Sequence, residues 1–121
     1  MATSDLTYRQ LLGRIADRLK AMAEPTRLQL LHELEGREVC VSELVERLGC
    51  SQANVSKHLG VLRAAGLVRC RRKGLNVYYT IEDQGVFEVC RLMCGCIERQ
   101  ASREVAEIGE AAGSLAARKG N

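Results

Sequence analysis

Proline occurs once in 121 residues, tryptophan is absent, and aromatic residues make up 3% of the chain. With so little to break a helix, and with 46% hydrophobic and 27% charged residues, the chain reads as folded and mainly helical, not as a disordered tail. No apolar run approaches the roughly 18–20 residues that a membrane helix needs. The first twenty residues, with Asp5, Arg9 and Arg14, lack a signal-peptide apolar region. The expectation is a cytosolic protein with no membrane partner. Histidine is scarce too: His32 and His58 stand apart from every cysteine motif, and there is no glycine-rich phosphate loop, so an enzyme with a cysteine nucleophile is set aside. The length suits one domain, drawn as 1–112 with a disordered tail over 113–121. Six cysteines in a compartment that keeps thiols reduced point to metal, metalloid or redox chemistry before a disulfide scaffold.

A further absence is local. Positions 47–81 contain no Asp or Glu but seven basic residues, Arg47, Lys57, Arg63, Arg69, Arg71, Arg72 and Lys73. The chain's net charge of +3 therefore hides a segment of +7 and a remainder of −4. Concentrated positive charge suggests a polyanion, because phosphate contacts supply most non-specific affinity for nucleic acid.

The periodicity places elements on this charge map. Tyr8, Leu11, Leu12, Ile15, Leu19 and Met22 form an amphipathic stripe that Ser4 or Asp5 can cap. Pro25 opens a second helix with Leu28, Leu31 and Leu34 on one face, ended by Gly36. Ser42 is cap-competent ahead of Leu44, Val45 and Leu48, with Gly49 as the stop. Ser51 caps a fourth helix that buries Val55, Leu59 and Leu62 and stops at Gly66. After Gly66, "LVRCRRKGLNVYYTI" reads as two strands around a tight turn near Gly74, with one of Tyr78 and Tyr79 facing the core. From about Asp83 helical spacing returns through Val86, Cys90, Met93, Ile97, Ala101, Val105 and Ile108. That stripe is longer than a small domain needs to cover itself and calls for a partner helix.

Two helices joined by about three residues, the second with a polar N-terminal half, have the pattern of a helix-turn-helix. With Val55, Leu59 and Leu62 inward, Gln52, Ser56 and Lys57 project where a recognition helix meets base edges, bordered by Asn54 and His58. Arg63 adds charge further along that helix. The hairpin contributes Arg71, Arg72, Lys73 and Asn76 as a wing that would reach a phosphate backbone or minor groove. Double-stranded DNA is the partner this implies.

"RLKAMAEPTRLQLLHEL", "VSELVERLGCSQANVSKHLGVLRAAGLV" and "RRKGLNVYYTI" resemble the arsenical-resistance-repressor (ArsR/SmtB) family of winged-helix metalloregulators over about residues 10–100. The resemblance implies a winged helix-turn-helix of about five helices and one hairpin. It also implies a homodimer through the first and last helices that represses when metal-free and leaves its operator when a metal or metalloid binds. It places Gln52, Ser56 and Lys57 at the recognition positions. The sequence departs from the family where several thiol sensors open the third helix with two cysteines: Cys40 is kept, but Ser42 replaces the second, and a hydroxyl is a poor ligand for soft ions. The zinc positions of the last helix read Asp83, Gly85, Cys96 and Arg99, so a zinc site of that kind is not expected.

What remains is "CRLMCGCIERQ". Cys90 and Cys94, four apart, share a helix face and can bridge one soft ion. Cys96 lies about 200° round from Cys94 unless Gly95 distorts the helix or a partner helix intervenes. Three thiolates suit As(III) or Sb(III), and Cys40 as an outside fourth suits tetrahedral cadmium or zinc. Arg91 and Arg99 stand nearby to favour thiolates. No permanent cofactor is expected; the ion acts as inducer. Two alternatives stay open: the cysteines are ordinary small apolar residues, or they sense oxidants or persulfides. Cys50 and Cys70 read as structural.

Overall fold

In the computed structural model, residues 6–119 are described, and the chain divides into two compact units, Met1–Gln84 and Gly85–Asn121. The division falls inside the stretch read from the sequence as one domain.

In the first unit three of the four helix starts are fixed by a side chain that satisfies amides left open by the first turn. Thr7 and Gln10 form a reciprocal capping box at the head of α1, Tyr8–Met22. Thr7 therefore takes the role expected of Ser4 or Asp5, which lie outside the described residues. The Glu24 carboxylate accepts from the Arg27 amide at 2.8 Å, and Pro25 begins α2, Pro25–Glu33. Leu30, Leu31 and Leu34 are fully buried, whereas Leu28 is half-buried. Because α2 packs against α1, α3 and α4 together, it buries adjacent positions that a single stripe does not predict.

Val39–Cys40 pairs antiparallel with Tyr79 and Tyr78 as a two-residue strand, β1. It is too short for any period to reveal. Leaving that strand, the chain enters α3, Val41–Leu48, directly, so extended Cys40 is the N-cap and Ser42 falls inside the first turn. Gly49 closes α3 at φ 67°, a left-handed conformation that favours glycine. Ser51 caps α4, Gln52–Ala64, by accepting the Asn54 amide at 3.1 Å, and Val55, Leu59 and Leu62 are buried as their spacing requires. Strands β2, Val68–Lys73, and β3, Asn76–Ile81, form the expected hairpin. Its two-residue turn carries Gly74 at φ 62° in the first position, the II′ arrangement that suits twisted strands. The sheet order is β1-β3-β2.

The second unit is a single helix, α5, Val86–Lys119. It passes unbroken through Gly95, Gly109 and Gly113, so the segment expected to be a loose tail from 113 is helical to Lys119. One glycine costs only about 1 kcal/mol against alanine in a helix, and Ala111, Ala112, Leu115, Ala116 and Ala117 around Gly113 are strong helix formers. No helix among the described residues is long and apolar enough to cross a membrane.

Candidate nucleic-acid interface

Burial of one face of α4 dictates what the other presents. Gln52, Asn54, Ser56 and Lys57 are exposed along the N-terminal turns. Arg63, also exposed, lies two turns beyond Ser56 on the same side. His58 is different. Its side chain is 13% exposed, accepts a 3.3 Å hydrogen bond from Arg27 Nη1 and lies 3.8 Å from Glu24. Arg27 also donates to the carbonyls of Ala21 and Lys20 at the end of α1. The residue expected to border the reading face instead ties α4 to the α1–α2 junction.

The wing divides its charge in the same way. Arg71 makes two 2.6 Å hydrogen bonds to the Glu38 carboxylate and stacks 5.3 Å above the Tyr78 ring. The guanidinium holds the Glu38 carboxyl below the ordinary value of 4.5. Arg69 donates to Thr80 and lies 3.9 Å from Glu82. Arg72 and Lys73 at the tip make no ion pair among the described residues, and Asn76 is exposed beside them. Thus Arg71, one of the residues expected to face DNA, is paired with Glu38 midway along the wing. Tyr78 lies under Arg71 and Tyr79 faces the opposite side, where burial raises its hydroxyl pKa. The expected alternation is present, but neither ring is fully buried.

Between the start of α3, the exposed face of α4 and the turn of the wing lies a cleft of about 230 Å³, lined by residues that include Cys40, Ser42, Gln52, Ser56 and Asn76. Cys40 Sγ is 3.2 Å from Ser42 Oγ, and that contact, with the Glu43 amide, lowers the thiol pKa.

On α5, Cys90 and Cys94 share one side of an unbroken helix, and the exposed Cys94 thiol donates to Glu98 at 3.6 Å. The distortion at Gly95 that would bring Cys96 alongside is not present. Gly95 stays helical, with the Arg99 guanidinium 3.1 Å from where a Cβ would stand. Among the described residues no three His, Cys, Asp or Glu side chains gather as a metal site.

Residues 24–69, spanning α2 to the first residues of the wing, match the family described as "Bacterial regulatory protein, arsR family". HlyU from Vibrio cholerae, a transcriptional activator, is 43% identical over 75 residues, which are 62% of this chain and 69% of HlyU. Its solved structure, at 38% identity, covers 70% of this chain and 97% of its own with a TM-score of 0.65. The chain belongs to the arsR family. Another relative is the transcriptional repressor SmtB homolog of Synechocystis, 38% identical over 78 residues, 64% of this chain and 59% of that protein. The arsR-family chain thus spans little more than half the length of that relative. The homodimeric winged helix-turn-helix domain of Mb0332 from Mycobacterium bovis is 29% identical, with a TM-score of 0.70 over 85% of this chain and 95% of its own.

Sequence reasoning on this arsR-family chain missed the groups that hold the interface in place. Glu38 is 33 residues from Arg71, and Arg27 is 31 from His58. No local spacing links such pairs; only the β1–β3 pairing and the packing of α2 on α4 bring them together.

Proposed function

We propose that the protein is a homodimeric, DNA-binding transcriptional repressor whose affinity for its operator is lowered by a soft ion bound at the thiols of α5. The observation that carries the DNA reading is the exposed polar face of α4, with Gln52, Ser56 and Lys57, beside a wing tip where Arg72 and Lys73 make no ion pair among the described residues. Gln can bind adenine through two hydrogen bonds, and the wing cations would hold phosphate. The dimer reading rests on exposed apolar side chains along α1 (Tyr8, Leu11, Leu12, Ile15) and α5 (Met93, Ile97, Val105, Ile108), and on the likeness to homodimeric Mb0332. The relatives are regulators of transcription; none described here is an enzyme.

Cys90 and Cys94 supply two neighbouring thiolates per chain, a donor set that fits arsenite or antimonite and also cadmium or lead. One chain offers no third ligand among the described residues, so further ligands would come from the second protomer's pair. Release follows from linkage: an ion that binds the DNA-free dimer more tightly must weaken DNA binding by the same factor. Cys94 exposure, and the likeness to HlyU, of which one solved form is described as reduced, favour a second reading in which the thiols respond to oxidants.

The test is titration of reduced protein on a duplex selected from a random-sequence library, with arsenite, antimonite, cadmium, lead and zinc. Arsenite or antimonite is expected to release DNA from the wild type and from Cys96→Ser, but not from the double variant Cys90→Ser, Cys94→Ser. Release by peroxide or polysulfide but by no ion would establish the redox reading instead. Failure to select any duplex would end both.

A further inference from the structure

Of the polar side chains on α4, His58 alone is withdrawn from solvent, and it has two partners that exclude each other. Its Nδ1 accepts from Arg27 Nη1 at 3.3 Å and lies 3.8 Å from Glu24 Oε2. A guanidinium has donors only, so this contact needs an Nδ1 without a proton and a neutral imidazole. A proton added at Nδ1 sets two donors and two positive charges face to face. Arg27 must then withdraw, while Glu24 stands close enough to accept from the new N–H. The Arg27 amide holds the Glu24 carboxyl below its ordinary 4.5, so Glu24 is ionised across the range, about pH 5–8, in which imidazole ordinarily titrates.

The two arrangements tie different elements together. In the neutral one Arg27 also donates to the carbonyls of Ala21 and Lys20, so a single guanidinium joins the end of α1 to α4. In the charged one that link is cut, and α4 is joined to Glu24, whose Oε2 caps α2. Among the described residues of the first unit no other charged group bonds to His58. From α1, Arg18 lies against Gly66 beyond the far end of α4, and Asp17 and Lys20 are exposed. In α3, Glu43 pairs with Arg47 and Glu46 faces solvent. In β2, Arg69 goes to Thr80 and Glu82, and Cys70 lies against Tyr79. On α4 itself Lys57 and Arg63 are exposed.

We infer that Glu24, Arg27 and His58 form a proton switch behind the reading face: neutral His58 locks α4 to the α1–α2 junction in its DNA-binding position, and protonation hands His58 from Arg27 to Glu24 and lowers affinity for DNA. The inference rests on the DNA-binding reading and adds an input separate from the thiols of α5. His58 is a positioning residue, acting through the seat of α4, whose opposite face carries Gln52, Ser56 and Lys57. The sign is diagnostic. Phosphates near an imidazole favour its charged form, so their field alone makes DNA binding take up protons. The switch requires release, because the bound state is the neutral one. His32 supplies the contrast: its Nδ1 faces the Leu28 carbonyl at 2.8 Å, an acceptor, so it holds its proton in either state and charging it breaks no such bond.

The test is binding of the full, reduced, metal-free chain to the selected duplex between about pH 7.5 and 5.5 at constant ionic strength. Proton uptake or release is read by calorimetry in buffers of different ionisation enthalpy. Affinity should fall roughly tenfold toward the acid end, an ordinary size for coupling between two sites, with net proton release on binding. His58→Asn places an amide oxygen where Nδ1 accepts from Arg27, and should bind as tightly in acid as at neutral pH. His32→Asn should keep the wild-type profile. Glu24→Gln removes the charge that receives the protonated ring, and should move the loss of affinity to lower pH. Affinity that holds or rises on acidification, proton uptake on binding, or a His58→Asn profile that falls as the wild type's does overturns the switch and leaves the regulator reading standing. Where His58→Asn fails to fold, an unmoved midpoint in Glu24→Gln overturns it instead. Failure to bind any duplex at either pH removes the regulator reading and the switch together.

Discussion

Leu59 on α4 and Ile97 on α5 are both aliphatic residues at helical spacing, yet Leu59 has no exposed surface and Ile97 keeps 63% of its own. In the first unit α2, α3, α4 and the sheet converge on Leu30, Leu31, Leu34, Leu44, Val55, Leu59 and Leu62, so there the hydrophobic effect is spent inside one chain, whereas α1 keeps Leu11, Leu12 and Ile15 exposed. Along α5 the same kind of side chain repeats over many turns with Met93, Ile97, Val105 and Ile108 left in water. The first pattern makes a fold. The second makes a surface whose burial needs another molecule. Cys90 and Cys94 lie on the second kind of face, which is where a bound ion could act on how two chains meet.

The sharpest way to break this contrast is to empty the closed core. Leu59→Ala should lower unfolding stability by about 2–5 kcal/mol, read by denaturant titration, and should weaken DNA binding because α4 loses its seat. A loss no larger than a surface substitution would mean that α4 is not held as described.

Next is the open face. Ile97→Glu with Val105→Glu should leave the thermal unfolding of the winged unit nearly unchanged while sedimentation shifts from dimer to monomer. Each aliphatic side chain removed from a buried interface forfeits about 1.5–3 kcal/mol of association. A fall in stability like that of Leu59→Ala would show that these residues serve their own chain, and a persisting dimer would place the seam elsewhere.

The smallest effect concerns the acid paired with Arg71 on the wing. The Glu38 carboxyl is held below 4.5 by the hydrogen bond from Arg71 and by its charge. Its folded-state pKa is depressed, so its stabilisation is present above the unfolded value and is lost as pH falls through the folded one. Wild type should therefore lose more stability than Glu38→Gln on acidification below about 4.5, by a modest amount because the pair is exposed to solvent. Parallel acid limbs for the two proteins would remove Glu38 from the account.

Local rules carried the reading a long way. Ser51, Val55, Leu59, Leu62 and Gly74 do what their spacing and chemistry predict, because caps, helix faces and tight turns are decided within a few residues. The failures have one cause. Cys40 rather than Ser42 caps α3 because a strand of two residues, invisible to any period, pairs with Tyr78 and Tyr79. His58 turns inward because Arg27 and Glu24, distant in sequence, stand beside it.

By itself the sequence determined the order of the five helices and the hairpin, the winged helix-turn-helix, the polar face of α4 and the basic segment free of acids, since each follows from short-range spacing or composition. Tertiary structure alone decided which of those charges are free, by pairing Glu38 with Arg71 and leaving Arg72 and Lys73 at the tip. It also kept Cys96 apart from Cys90 and Cys94, because α5 runs straight through Gly95. It set Cys40 in the cleft beside α4, because β1 and the hairpin meet there. Those outcomes depend on contacts between residues that the chain keeps far apart until it folds.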